Sequence, residues 1–208
     1  MTSFARYYAG FLLRPRRTAD ALVRDPRRLR LGAQALLITA VLYTLVYVFL
    51  VLGGGRPFKP WLTIPAEAYY RWNVVFLALS MFLCWILASG LVQLLARSVA
   101  GSGSFEDTAS VLGFGIAIPS WSTLLHDLVS SFLGAIHVID QRAYEAALNG
   151  LTFWRALLWV LMTLYLVWFL VAFAKAVGAS QRVGPGPAAL LGTLAFVSYQ
   201  LVFLVFNR

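Results

Sequence analysis

Asp127 stands inside an apolar run, with Thr123 before it and Ser130 after it at helical spacing, and His126 at the edge of the same face. A carboxylate among hydroxyls can hold a proton or a cation, and an imidazole beside it adds a group that titrates near neutral pH. Asp127 lies about 16 residues past Val111, hence ~24 Å along a helix. A carboxylate left in hydrocarbon costs roughly 2.5–3.5 kcal/mol on insertion scales. It must therefore face other helices, reach the interface or take up a proton. Two readings stay open: a functional group on a transport path, or a tie between helices, with the hydroxyls or Gln200 as partners.

Metal chemistry fits the spacing poorly. His126, Asp127, His137 and Asp140 are the right types, but positions 126 and 137 on a continuous helix are ~16 Å apart along its axis. Only a reversal near Gly134 would unite them, so no metal site is expected. The chain has no His-Glu-x-x-His, serine-nucleophile or phosphate-loop motif. Its one cysteine, Cys84, sits in an apolar run, which excludes a disulfide framework within the chain. No catalytic residue and no cofactor are expected.

The elements that would position these groups follow from composition. Of 208 residues, 61% are hydrophobic and 12% charged, whereas soluble domains carry about 25% charged residues. The surface itself must be apolar, so lipid is its solvent. Five apolar runs stand out, at about 33–52, 72–96, 109–133, 154–177 and 188–206, each near the ~20 residues that cross ~30 Å of hydrocarbon. The fold expected is an all-α, polytopic bundle of five transmembrane helices. The first run is too long, and too far behind its polar leader, for a secretory signal.

The third run is built unlike the others. Gly101-Ser102-Gly103-Ser104 leads into it, and Ser104 with Asp107 three residues on resembles a capping box. Ala109, Gly113 and Ala117 recur every fourth residue, a spacing that lets another helix approach closely. Pro119 removes one backbone hydrogen bond and predicts a kink.

Residues 1–30 form a separate basic segment ahead of the membrane domain 31–208. Phe4, Tyr7, Tyr8, Phe11 and Leu12 share one helical face, with Ser3 as N-cap and Pro15 as terminator. Such a helix lies in the cytoplasmic interface, or docks on the cytoplasmic ends of the bundle. Of the 17 Lys and Arg residues, eight precede Leu31: Arg6, Arg14, Arg16, Arg17, Arg24, Arg27, Arg28 and Arg30. All but Arg6 are candidate contacts to anionic lipid. Although the net charge is +9, clustering beside a hydrophobic span points to the bilayer rather than to nucleic acid.

With the N-terminus inside, positive residues divide eleven to six between cytoplasmic and outer segments, which places the C-terminus outside. Trp61, Tyr69, Tyr70, Trp72 and Trp154 suit an outer aromatic belt, while Trp85, Trp121, Trp159 and Trp168 are expected to pack inside.

Gly101-Ser102-Gly103-Ser104-Phe105-Glu106-Asp107-Thr108, then Val111-Leu112-Gly113-Phe114 and Pro119, resembles prokaryotic members of the Yip (Ypt-interacting-protein) domain family. Phe114 stands where Tyr is commoner there. Leu13-Arg14-Pro15-Arg16-Arg17-Thr18 and Arg24-Asp25-Pro26 resemble the family's cytoplasmic lead-in. The resemblance implies a five-span helical domain with a cytosolic N-terminus in a prokaryotic inner membrane. In eukaryotes the family is associated with small GTPases and vesicle traffic, but the Asp-Leu-Tyr-Gly-Pro motif of many such members is absent. It implies no catalytic residue. The function expected is non-enzymatic: a membrane-organising, adaptor or assembly subunit, with a membrane-protein partner or a second copy. The alternative is a small transporter, channel or lipid-moving protein using the third span and Asp127.

Overall fold

All five apolar runs are helical in the computed structural model, which describes residues 3–57 and 64–207. Two short helices come first, α1 (Ser3–Leu13) and α2 (Pro15–Val23). The long helices are α3 (Arg28–Leu52), α4 (Ala66–Ala96), α5 (Phe105–Ala135), α7 (Phe153–Gln181) and α8 (Pro185–Asn207), with a short α6 (Gln141–Asn149) before α7. Five of them are long and apolar enough to cross a membrane. Trp61 and Lys59 lie outside the described residues, as does Arg208.

Each long helix starts before its apolar run, and in α5 and α7 a side-chain cap ahead of the run satisfies part of the first turn. Ser104 Oγ accepts from Asp107 N at 3.1 Å and Asp107 Oδ2 accepts from Ser104 N at 3.1 Å, so α5 begins at Phe105 on a full capping box. Thr152 Oγ1 caps α7, and Pro185 opens α8.

Helix α1 ends at Leu13, just before Pro15, as expected of a terminator. Pro15 also opens a second short helix, α2, where its missing N–H costs nothing. A further short helix that the apolar runs did not mark follows α5: Asp140 accepts from Arg142 N and Ala143 N and starts α6.

Packing runs α3–α5–α7–α8–α4 and back to α3, with α4 also touching α5. Helix α5 sits innermost, since α1 and α2 pack on it as well. Its most apolar stretch is 89% buried, against 11% for α7. It also has the lowest mean hydropathy of the five, 1.3 against 2.0–2.6. A helix wrapped by protein can carry Gly, Ser and Thr that lipid would penalise.

Close approach depends on small residues. A Cβ on Gly113 would collide with the Gly32 carbonyl, and one on Gly32 with the backbone of Ser110. Thus α3 and α5 meet backbone to backbone, while Ala109 and Ala117 are fully buried on α5. Helix α5 runs through Pro119 as one element, and Ser120 Oγ donates to Ile116 O beside it. Of the tryptophans expected to pack, Trp85 is buried, but Trp159 is 63% exposed on outward-facing α7.

Candidate functional site

Three polar groupings occupy the bundle, and the residues singled out by sequence are divided among them.

The first surrounds Asp127. Nδ1 of His126 lies 2.9 Å from Asp127 Oδ1, and Nε2 of His126 lies 2.8 Å from the Tyr144 hydroxyl on α6. Burial raises the Tyr144 phenol above its usual pKa, a side-chain contact with Ser130 lowers it less, and the charge of Asp127 adds to the rise. In the tautomer with its proton on Nδ1, the ring donates to Asp127 and accepts from the Tyr144 hydroxyl at Nε2. The chain Tyr144–His126–Asp127 ties α6 to α5 and can hold or pass one proton.

Asp127 has about a third of its side chain exposed, at 35%. Ser130 Oγ donates to the Asp127 backbone carbonyl rather than to its carboxylate. Thr123 Oγ1 bonds Tyr43 of α3 at 3.0 Å, and Gln200 donates to Tyr165 at 3.0 Å. Sequence spacing put Thr123, Asp127 and Ser130 on one face, with Gln200 as a candidate partner from another run. The structure gives Thr123 and Gln200 other partners, since tyrosines from neighbouring helices reach them first. Among the described residues no three His, Cys, Asp or Glu side chains converge as metal ligands.

A second grouping, at the end of the bundle where the chain begins, was not foreseen. Gln181 of α7 is fully buried. Its Nε2 donates to Thr108 Oγ1 at 2.6 Å and Gln93 Oε1 at 3.0 Å, while its Oε1 accepts from Gly103 N at 3.3 Å. Gln93 Nε2 donates in turn to Gly103 O. The sequence marks these residues only as two uncharged glutamines near the ends of apolar runs.

The third is the N-terminal pair. Tyr7 and Phe11 are buried, Phe11 stacks on Phe114 of α5 at 4.7 Å between centroids, and Trp121 Nε1 donates to the Tyr8 hydroxyl. The apolar face read as entering lipid is docked on α5, while Leu12 and Leu13 are left 55% and 76% exposed. Helix α2 buries Ala19 and Leu22, and packs on α7 and α5. Tyr7 donates to Asp25 Oδ2 at 3.2 Å. The Arg27 backbone N–H, foremost, holds the Asp25 carboxyl below the usual range.

Arg14, Arg16, Arg17, Arg24, Arg27 and Arg30 are exposed. Arg27 pairs with Asp25. Arg28, which sequence grouped with the lipid contacts, has its Nε 2.6 Å from Asp107 Oδ1 and its Nη2 3.1 Å from Glu106 Oε2. Its charge is neutralised inside the protein, because α3 starts beside the acidic first turn of α5.

The family model of the Yip1 domain matches residues 9–207. No curated protein and no solved structure matches the chain.

Proposed function

This chain belongs to the Yip1 domain family, as the match over residues 9–207 shows, and from that premise we propose that it is a non-enzymatic organiser or adaptor at the membrane. In this reading its N-terminal helical pair holds a basic face against an anionic leaflet. One observation carries it: α1 and α2 bury Tyr7, Phe11, Ala19 and Leu22 and pack on α5 and α7, which leaves Arg14, Arg16, Arg17 and Arg24 exposed. Leu12 and Leu13 project from the same pair, and apolar residues beside cations suit the headgroup boundary. Each arginine that reaches an anionic surface gains about 1 kcal/mol, offset in part by the exposed Asp20. The proposal includes a cytoplasmic N-terminus, an outer C-terminus, a prokaryotic inner membrane, and assembly with a membrane-protein partner or a second copy.

Hydrogen exchange on the full chain in nanodiscs tests it. Amides of residues 14–24 should exchange more slowly with phosphatidylglycerol than with phosphatidylcholine at 0.1 M salt. The difference should vanish at 1 M, where the Debye length falls from ~10 Å to ~3 Å. Replacing Arg14, Arg16, Arg17 and Arg24 together by Gln should abolish it. Equal exchange in the two lipids at low salt would reject the lipid-facing role.

A second reading, a small transporter or lipid-moving protein, draws on the buried α5 with Pro119 and on the half-buried Asp127 joined to His126. Flux in proteoliposomes that is lost in Asp127→Asn would favour it over the first.

A further inference from the structure

At the end of the bundle away from the N-terminal pair, three arginines from three elements meet around one cavity of about 180 Å³. Arg56 follows the glycine turn after α3, Arg71 is in the second turn of α4, and Arg142 is in the first turn of α6. Val51, Gly54, Gly55, Glu67 and Tyr70 complete the lining among the described residues. We propose that this cavity binds a phosphate group, carried either by a lipid headgroup or by a soluble phosphate compound.

Charge is the first argument. The lining holds three guanidiniums and a single carboxylate, and that carboxylate, Glu67, stands 3.7 Å from Arg56 Nη1. The nearby Glu145 is turned to other work: its Oε2 accepts from Arg56 N at 2.9 Å and its Oε1 from Gln141 at 3.2 Å. Counting Glu145 as well, the group keeps a positive excess. Like charges gathered this way repel until an anion joins them. Guanidinium forks match the oxygens of a phosphate in geometry and donor count.

Construction is the second argument. Two of the cations, Arg56 and Arg142, are also tied to the surrounding structure through backbone groups. Arg142 Nε donates to Gly54 O at 3.4 Å, and Glu145 holds the Arg56 backbone. Gly54 has φ +70°, and a Cβ on Gly55 would lie 2.6 Å from Glu145 Oε1 and 3.1 Å from the Tyr70 ring. The positive φ of Gly54 and the close neighbours of Gly55 favour glycine in this turn. The turn, the start of α4 and the start of α6 together supply the three arginines of the lining.

Position is the third. Arg56 follows the candidate span α3, Arg71 lies in the second turn of the candidate span α4, and Arg142 is on the short α6 between two further spans. The cavity thus sits at one end of the spans, where lipid phosphates are abundant.

The test uses the purified full chain in neutral detergent, titrated with inorganic phosphate against chloride of matched ionic strength. Phosphate should raise the melting temperature. Arg71→Gln should weaken apparent affinity roughly ten-fold, as expected for loss of a hydrogen bond to a charged group. Glu67→Gln, which removes the one carboxylate of the lining among the described residues, should strengthen it. Far-ultraviolet helix content checks that each variant is folded, and the opposite sign expected for Glu67→Gln keeps the test decisive should Arg71→Gln fold poorly. Native mass spectrometry then separates the sources. Retention of phosphatidic acid over diacylglycerol, lost in Arg71→Gln, assigns the site to lipid, whereas phosphate binding without that retention assigns it to a soluble compound. No phosphate effect beyond chloride, or wild-type affinity in both variants, overturns the proposal.

Discussion

Gln181 joins three other parts of the chain through one carboxamide: α4 at Gln93, the glycine turn at Gly103 and the first turn of α5 at Thr108. Its backbone carbonyl also accepts from Ser102 N at 3.0 Å. Gln181→Ala would strand several buried donors and acceptors at once, each costing about 1–3 kcal/mol when unpaired. The expected loss is about 2–4 kcal/mol in reversible unfolding in detergent. Gln200→Ala, which removes one bond to Tyr165, should cost about 1 kcal/mol. Similar losses for the two would contradict the network. Asp127 was the conspicuous residue in the sequence, since a carboxylate in an apolar run is always visible. Its bond to His126 joins sequence neighbours, but the tie to Tyr144 needed α6 folded back on α5. Gln181 carried no such mark: an uncharged polar residue just before Arg182 looks like the end of a span.

Helix α5 shows how far a pattern of small residues reaches. Its Ala109, Gly113 and Ala117 repeat announced a close neighbour, and Gly113 lies against Gly32 of α3. Nothing in the repeat named α3 as that neighbour, because a small-residue stripe fixes distance and not identity. Gly113→Ala would force two backbones apart, and overpacking of this kind costs about 1–3 kcal/mol. Gly90 of α4 has open space where its Cβ would be. Gly90→Ala should therefore be neutral or stabilising by up to about 1 kcal/mol through helix propensity. Thermal unfolding of the two variants side by side checks the contrast, and equal losses would count against the Gly32–Gly113 contact as the cause. The N-terminal helices show the reverse limit. Periodicity identified the face of Phe4, Tyr7, Tyr8 and Phe11, but an apolar face suits lipid and protein equally. The Phe114 and Trp121 side chains on α5 decided the matter.

For the molecule as a whole, the charge distribution predicts its orientation. Segments on the N-terminal side carry eleven positive residues against six on the other, and the basic N-terminus dominates insertion. The exposed positions Asn149 and Gly184 lie at opposite ends of α7, just outside it. With Cys84 replaced by Ala, Asn149→Cys should label with an impermeant maleimide in intact cells. Gly184→Cys should label only after permeabilisation. Labelling of Gly184→Cys from outside would reverse the topology, and with it the leaflet assigned to the arginines.

Amino-acid sequence alone determined the solvent, the number of spans and their approximate bounds, because these follow from local quantities: apolar run length, glycine breaks and caps such as Ser104–Asp107. It also marked the third run as different, through its small and polar residues. Only the tertiary structure decided that this run is the innermost helix, that Arg28 is held by Asp107 and Glu106, and that Arg56, Arg71 and Arg142 surround one cavity. Those facts depend on pairings between residues far apart in the chain. In lipid, where helix association has no hydrophobic drive of its own, such pairings are set by backbone approach and polar contacts that no single segment contains.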